Sequence, residues 1–297
     1  MRGKRLRWIK KQAAPWLFSG PALLVYIFVV IVPVLYSLTY SFYDYNGIGE
    51  MTFNGLDNYR DMFSDGTFRT AVRNNLLLMA GSTLIQMGLG LGLAILLSNI
   101  RKFANVLRVA YFVPCIISSA AICQIFSRMF SIVPEGVIPA LMRLFGQEPV
   151  AFLSDSHWAL AVVILLDAFK YVGMHMLIFY SGLMDIDASV VEAAIVDGCG
   201  WWKLHTKIKI PMIMNILVME LVLLVNGTLK AFDISYILTK GGPGTTTELV
   251  ATYMYKTSFG MAKFGSGSAM SVFLAVESLL AVGLVRYIGG KLQRRYS

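Results

Sequence analysis

Four charged residues lie inside long apolar runs of this chain, as two pairs of opposite charge. Asp167 and Lys170 are three residues apart, and Lys230 and Asp233 repeat that spacing further along the chain. Residues three apart share one face of an α-helix, so each acid can pair with its base there. Charged side chains at membrane depth are costly, and they usually face a cavity, a partner chain or an interface. These four residues are therefore the first candidates for a functional site.

Aromatic and small polar residues surround the four charges. Phe169 and Tyr171 flank the first pair, and Thr228 and Phe232 flank the second. Such a lining suits a carbohydrate, whose hydroxyl groups take hydrogen bonds while its apolar face packs on a ring. The alternative is that the pairs snorkel or neutralise each other and only hold the helices together. Both interpretations stay open on the residues alone.

The sequence predicts no catalytic residues, no metal site and no cofactor bound by this chain itself. The three histidines, His157, His175 and His205, are scattered without the spacing of metal ligands. No HExxH or GxSxG motif occurs, and the absence of a Walker A sequence means that the chain cannot hydrolyse ATP alone. Cys115 and Cys123 are predicted to lie on one helix more than two turns apart, which excludes a disulfide between them.

The elements that must position these residues are membrane spans. Hydrophobic residues make up 57% of the chain and charged residues only 14%, which is far from a soluble average. The net charge of +9 is dispersed at the ends of apolar runs, which disfavours nucleic acid as a partner. An apolar run of about 20 residues crosses the bilayer as a helix. The sequence predicts an all-α membrane protein with six transmembrane helices, at 16–40, 75–98, 107–127, 158–181, 212–237 and 267–289.

Lysine and arginine set the expected orientation. With the N-terminus inside, the inner segments hold 16 of these residues and the outer loops hold 8, so both termini are predicted to be cytoplasmic. The basic start is typical of a signal peptide, but its apolar run is too long and no cleavage site follows. We therefore expect a basic cytoplasmic N-terminus at 1–15, a six-helix membrane domain at 16–290 and a cytoplasmic tail at 291–297.

The inner loop at 182–211 has more structure than a simple connection requires. Its residues from Glu192 to Val196 favour helix, and Gly198 and Gly200 interrupt it. A second amphipathic run follows and leads to Pro211, which opens the next apolar run. A helix–turn–helix between two membrane spans is typical of a docking surface.

This loop resembles the EAA motif of permease subunits in ABC importers, written EAA-xxx-G-x9-I-x-L-P. The match consists of Glu192, Ala193, Ala194, Gly198, Ile208 and Pro211, with Ile210 where Leu is usual and Cys199 where Ala is common. In that family the loop forms a coupling helix that sits in a groove of a cytoplasmic ATPase. The resemblance implies ATPase coupling by Glu192, Ala193, Ala194, Asp197, Gly198, Ile208 and Pro211.

The whole chain is similar to binding-protein-dependent carbohydrate permeases of the maltose-transporter large-subunit type. The segments 54–59 and 238–243 also carry this resemblance. The chain lacks the extra N-terminal spans and the large external domain of the maltose protein. The resemblance implies a type I ABC importer permease fold in the bacterial inner membrane, with a sugar or oligosaccharide as substrate.

The resemblance also implies partners and a cavity lining. The partners would be the lipid bilayer, a second homologous permease, an extracytoplasmic sugar-binding protein and two ABC ATPases, which would bind ATP and Mg. Family members line a central cavity with the spans on either side of the coupling loop. The matching positions, together with the neighbouring charges, are Asp167, Phe169, Lys170, Tyr171, Met174, Thr228, Lys230, Ala231 and Asp233.

Two other functions are alternatives to an importer. In an ion-coupled secondary transporter, Asp167, Lys170, Lys230 and Asp233 would form the relay. The six spans show no inverted repeat, and such a transporter leaves the EAA-type loop unexplained. A membrane scaffold without transport activity is the second alternative.

Overall fold

The computed structural model describes residues 19–100 and 102–296, and these residues are mostly helical. The predicted N-terminal segment 1–15 and the first residues of the predicted first span lie outside the described residues. The α-helices are α1 Ser19–Tyr40, α2 Asp57–Ser64, α3 Gly66–Ser98, α4 Ala104–Ile116, α5 Ser119–Phe130, α6 Val137–Leu144, α7 Ala159–Met184, α8 Ala188–Val196, α9 Trp201–Lys203, α10 Ile210–Met212, α11 Met214–Leu229, α12 Asp233–Leu238, α13 Val250–Tyr255 and α14 Phe264–Tyr296. Stretches of π-helix occupy Ile27–Ile31, Leu204–Lys209 and Lys256–Gly260. Two short strands, β1 Tyr43–Asp44 and β2 Thr52–Phe53, pair antiparallel.

Five helical stretches are long and apolar enough to cross a membrane, and a bent pair brings the number to six if it counts as one span. The five are Ser19–Tyr40, Gly66–Ser98, Ala159–Met184, Met214–Leu238 and Phe264–Lys291. The fold class is therefore as predicted.

The predicted third span, 107–127, is wrong as a single straight helix. It consists of α4 and α5, which meet at an angle of 95°. Ser118 has extended backbone dihedrals, and its hydroxyl accepts a hydrogen bond from the Ala121 amide, so it begins a new helix. Cys115 and Cys123 consequently lie on different helices, and both are free thiols.

The structure divides into two compact units. The smaller unit contains the described residues up to Ser64 and residues 254–272. Its β-ribbon is fixed by Asn58, whose buried amide donates to the carbonyls of Ser41 and Tyr43 at 3.0 and 2.9 Å. Asn58 belongs to the 54–59 segment that carries the family resemblance, so this part of the motif has a structural role.

The larger unit contains residues 65–253 and the described residues from 273 onward. Its centre is the packing of α3 against α7, where Gly90 lies against Met176 and His175. Gly173 lies against the Tyr111 carbonyl where α7 crosses α4, so no larger residue fits there.

Gly88 and Gly92 form a GxxxG pattern, which predicts a face for close helix packing. That prediction is wrong within the described residues. A Cβ atom added at either glycine would meet nothing within 4 Å. The buried face of α3 instead carries Ser82, Gln86 and Gly90, which recur every four residues. Residues two positions away point about 200° round the helix, so Gly88 and Gly92 face elsewhere.

The predicted fifth span, 212–237, is interrupted in its C-terminal half. Helix α11 ends at Leu229 and α12 begins at Asp233. The Leu229 carbonyl freed by the break accepts a hydrogen bond from the fully buried Asn75 amide at 2.8 Å. Because hydrocarbon offers no water to an open carbonyl, this bond makes the break tolerable at membrane depth.

The loop that follows α12 is tightly held. Asn74 donates to the carbonyls of Thr245, Thr246 and Glu248 at 3.3, 3.0 and 2.9 Å. The Ser235 hydroxyl donates to the Thr247 carbonyl at 2.5 Å. The glycine- and threonine-rich segment 238–250, whose sequence predicts a turn-rich external loop, is therefore an ordered part of the larger unit.

We predict that Gly173→Ala lowers the stability of the folded chain by about 1–3 kcal/mol, because its methyl group would overlap the Tyr111 carbonyl. The measurement is the thermal unfolding midpoint of the detergent-purified protein. Gly88→Ala is the matched control, since open space surrounds it and alanine favours helix. Equal midpoints for the two variants would contradict the close α4–α7 packing.

Candidate functional site

A cavity of about 580 Å³ lies in the larger unit among α3, α7, α11 and α12. Its volume falls in the range of sites for small molecules. It is lined by seven of the nine residues predicted from the sequence, namely Asp167, Tyr171, Met174, Thr228, Lys230, Ala231 and Asp233. On α7, Asp167, Tyr171 and Met174 recur at intervals of four and three residues, which places them on one helix face.

The other two predicted residues, Phe169 and Lys170, lie outside the cavity lining. Phe169 is 46% exposed, and its ring packs against Phe126 with a centroid separation of 5.4 Å. Lys170 is buried, and its ammonium group donates to the Ser119 hydroxyl at 2.5 Å. It also lies 5.0 Å from the centroid of the Tyr171 ring. Phe169 therefore points away from the cavity, while Lys170 lies at the edge of the face of α7 that the cavity occupies.

The sequence-based pairing of acids and bases three residues apart is not found. Among the described residues, no ion pair joins Asp167 to Lys170 or Lys230 to Asp233. Asp167 instead accepts a hydrogen bond at 2.9 Å from Gln86 on α3. Asp233 accepts one at 3.2 Å from the Ser119 hydroxyl on α5. The three-residue spacing does not pair Lys230 with Asp233, because the helix break places these two residues in separate segments.

Sequence reasoning missed two polar residues of the cavity lining, Gln86 and His175, which are almost fully buried. Glu220, an intramembrane acid for which the sequence favours a structural role, is fully buried beside His175. A hydrogen bond joins His175 Nδ1 to Glu220 Oε2. His175 lies eight residues after Asp167 on α7, and this helical spacing is the signal that could have identified it.

The cavity offers chemistry suited to a ligand rich in hydroxyl groups. Asp167 and Asp233 supply acceptors, and Lys230 supplies a donor. Thr228 and Ser235 add hydroxyl groups, while Tyr171 and Phe232 contribute aromatic rings. No group of three or more His, Cys, Asp or Glu side chains within 19–100 and 102–296 is placed to hold a metal ion.

The loop between α7 and α11 contains a short helix, α8, that is fixed at both ends. At its start, the Asp187 carboxylate accepts a hydrogen bond from the Ser189 amide at 2.9 Å. This bond holds the pKa of Asp187 below its ordinary value of 3.8. At its end, Gly198 has a φ of 77°, and the Gly198 and Cys199 amides donate to the Ile195 and Ala194 carbonyls at 3.0 and 2.9 Å. This is the Schellman arrangement, which needs a left-handed residue and therefore favours glycine.

The residues predicted to couple to an ATPase divide between surface and interior. Glu192, Ala193, Asp197 and Gly198 are exposed, while Ala194 is buried. The remaining two, Ile208 and Pro211, are half-buried. The second amphipathic run forms α9, the π-helix Leu204–Lys209 and α10, with Leu204 and His205 buried.

These features define an integral membrane protein of the transport class, with a polar cavity among its spans and an exposed capped helix in a loop. The chain belongs to the family described as binding-protein-dependent transport system inner membrane components, which matches residues 86–294.

Individual relatives agree with the family. The chain is 32% identical to a probable ABC transporter permease protein of Pyrococcus horikoshii, over 90% of this chain and 92% of the relative. It is 27% identical to the lactose transport system permease protein LacF of Rhizobium radiobacter, over 93% of each chain.

A solved structure has the same fold. The crystal structure of a bacterial alginate ABC transporter, in complex with its alginate pentasaccharide-bound periplasmic protein, contains a chain that matches with a TM-score of 0.86 at 20% identity. The match covers 97% of each chain. The type I permease fold predicted from the sequence is thereby confirmed.

We predict that Asp187→Ala increases hydrogen exchange of the first amides of α8 in the intact protein, because the Ser189 amide loses its acceptor. Asp187→Asn should keep the protection, since asparagine caps a helix equally well. Because the pKa of Asp187 is lower in the native state, its carboxylate stabilises the native state at pH values above its ordinary pKa. This contribution is lost as the pH falls through the lower native pKa. The wild-type cap should therefore be intact at neutral pH. Equal exchange in the alanine and asparagine variants would contradict this account.

Proposed function

We propose that this chain is the permease subunit of an ATP-driven importer, which moves a sugar or oligosaccharide delivered by an extracytoplasmic binding protein. The observation that carries the proposal is the helix α8, which is exposed, capped at both ends and placed between two cavity-lining spans. A loop that only connects two spans does not need a short helix capped at both ends. A surface that must present the same shape to a partner repeatedly does need such caps.

The position of α8 supports coupling between an ATPase and the cavity. Only three residues, 185–187, separate it from α7, and α11 begins shortly after α10. Both flanking spans line the cavity. A displacement of α8 by a partner is therefore passed directly to two cavity walls, in the manner of a rigid-body switch between two states.

The substrate class follows from the lining and from a relative. Opposed acceptors, donors and aromatic rings suit a hydroxyl-rich ligand better than an apolar one. The relative LacF belongs to a lactose transport system and aligns over most of both chains. Together these support a saccharide as the substrate of this chain.

The proposed complex has further members. A second homologous permease would complete the pathway, and two ABC ATPases would bind ATP and Mg and perform hydrolysis, which this chain does not. The excess of basic residues supports an orientation with α8 and both termini on the cytoplasmic side of the bacterial inner membrane.

The test is uptake by the complete complex, reconstituted in liposomes with its binding protein and partners. The probes are radiolabelled lactose and a panel of other neutral di- and trisaccharides. We expect uptake of at least one saccharide that requires ATP and the binding protein and withstands a protonophore. Uptake with a hydrolysis-dead ATPase, driven by a proton gradient, would instead favour the ion-coupled alternative.

We predict that Glu192→Ala and Gly198→Asp abolish uptake or co-purification of the ATPase, while insertion into the membrane remains normal. Glu192 is an exposed charge on α8, and a side chain at residue 198 strains the left-handed turn that ends the helix. Immunoblots of the membrane fraction measure insertion, and affinity purification measures assembly.

A matched control is available outside this loop. Gly146 ends α6 with the same arrangement, with a φ of 71° and the Gln147 amide donating to the Met142 carbonyl at 2.8 Å. Gly146→Asp introduces the same backbone strain away from α8, and it should leave assembly with the ATPase intact. Normal uptake in Gly198→Asp would refute the proposed role of α8.

A further inference from the structure

Three helical segments meet at one serine hydroxyl beside the cavity. Ser119 is the first residue of α5, directly after the bend in the third span. Its hydroxyl accepts a hydrogen bond from Lys170 on α7 at 2.5 Å. The same hydroxyl donates to Asp233, the first residue of α12, at 3.2 Å. Both interrupted spans and the unbroken α7 are therefore joined at this point.

The direction of these hydrogen bonds follows from the charges. An ammonium group can only donate and a carboxylate can only accept, while a hydroxyl does both. The serine proton must therefore point to Asp233, and its lone pair to Lys170. The hydroxyl thus links a buried cation to a cavity-lining anion.

Lys170 needs this link because it is only 4% exposed. A buried ammonium group is strongly unfavourable without a compensating negative charge. Asp167, on the same helix, is held by Gln86 at 2.9 Å and forms no ion pair with Lys170. Asp233 is the carboxylate that the Lys170 ammonium group reaches through a single hydroxyl.

The link also determines how Asp233 meets the cavity. Ser119 contacts Asp233 Oδ2. Within the described part of the chain, the other oxygen, Oδ1, has no hydrogen-bond donor, and Asp233 lines the cavity. One oxygen is therefore anchored while the other remains available to a ligand.

We infer that Ser119 and Lys170 are positioning residues for Asp233. They fix the orientation of its carboxylate, so that Oδ1 accepts a hydrogen bond from a hydroxyl group of the substrate. This inference rests on the proposed function, since it assigns Asp233 to the same saccharide-binding cavity. Ser119 and Lys170 thus determine affinity without touching the substrate themselves.

The first test compares Ser119→Ala with Ser119→Thr in the reconstituted complex, using the panel saccharide that the wild type takes up fastest. Loss of the hydroxyl should raise the KM for uptake about tenfold, which corresponds to one charge-assisted hydrogen bond, and leave the maximal rate within twofold. Threonine retains a hydroxyl and should restore the wild-type KM. Ser127→Ala, an exposed serine two turns further along α5, is the matched control and should keep the wild-type KM.

The second test measures the coupling of the two charges without any substrate. Asp233→Asn should lower the thermal unfolding midpoint of the purified complex, because it removes the carboxylate that the buried Lys170 ammonium group reaches through Ser119. Adding Lys170→Met to that variant should recover the midpoint, since it removes the buried charge as well. Additive effects of the two substitutions would overturn the link between these residues.

The outcomes separate this inference from the proposed function. No saccharide uptake by the wild type would overturn the proposed function and the inference with it. Wild-type uptake with an unchanged KM in Ser119→Ala would overturn the positioning role alone. A lower maximal rate with an unchanged KM would also overturn it, because it would indicate a purely structural role for Ser119.

Discussion

The cavity borders a broken membrane helix, and both breaks in the larger unit depend on polar groups that replace missing backbone hydrogen bonds. Asn75 reaches from α3 to the Leu229 carbonyl where α11 ends. Ser118 caps the start of α5 after the bend. In hydrocarbon an open carbonyl or amide costs several kcal/mol, so an unsupported break would close into a continuous helix. The polar side chains of the larger unit are thus part of what makes a ligand-sized space possible among apolar spans.

Close contacts between helices set the walls of this space. Gly90 and Gly173 allow α3 and α4 to approach α7 until backbone atoms are neighbours. At that separation short polar side chains such as Gln86 can reach across to Asp167. Larger residues at the crossings would hold the helices apart and lengthen those hydrogen bonds. The helix crossings at Gly90 and Gly173 therefore set both the packing of the helices and the lengths of the hydrogen bonds between them.

The sequence was informative where a signal is local or strongly periodic. Apolar runs identified the spans, and the Glu192–Pro211 pattern identified the capped loop helix with its glycine end. Seven of the nine candidate cavity residues line one space. Charge at membrane depth pointed to Asp167, Lys230 and Asp233, whereas Met174 and Ala231 came from the family resemblance alone.

The remaining errors concern long-range partners. Nothing in the local sequence shows that Lys170 turns to Ser119, 51 residues earlier, or that Asn75 supports a break 154 residues later. Both interrupted spans were predicted as continuous, because their apolar composition carries on through the interruption. Gly88 and Gly92 match a packing motif, but the glycine that packs against α7 is Gly90, which lies between them. Only the three-dimensional arrangement shows this.

The unbroken course of α7 has a mechanical consequence. Its 26 residues form a rod about 39 Å long, while the spans that contain α4 and α11 are each interrupted. Motion applied at one end of a rod arrives at the other end with little loss, whereas a joint absorbs part of it. Lys170 lies near the middle of this rod, so a push on the proposed coupling loop would be carried to the point where Lys170 meets the Ser119 hydroxyl.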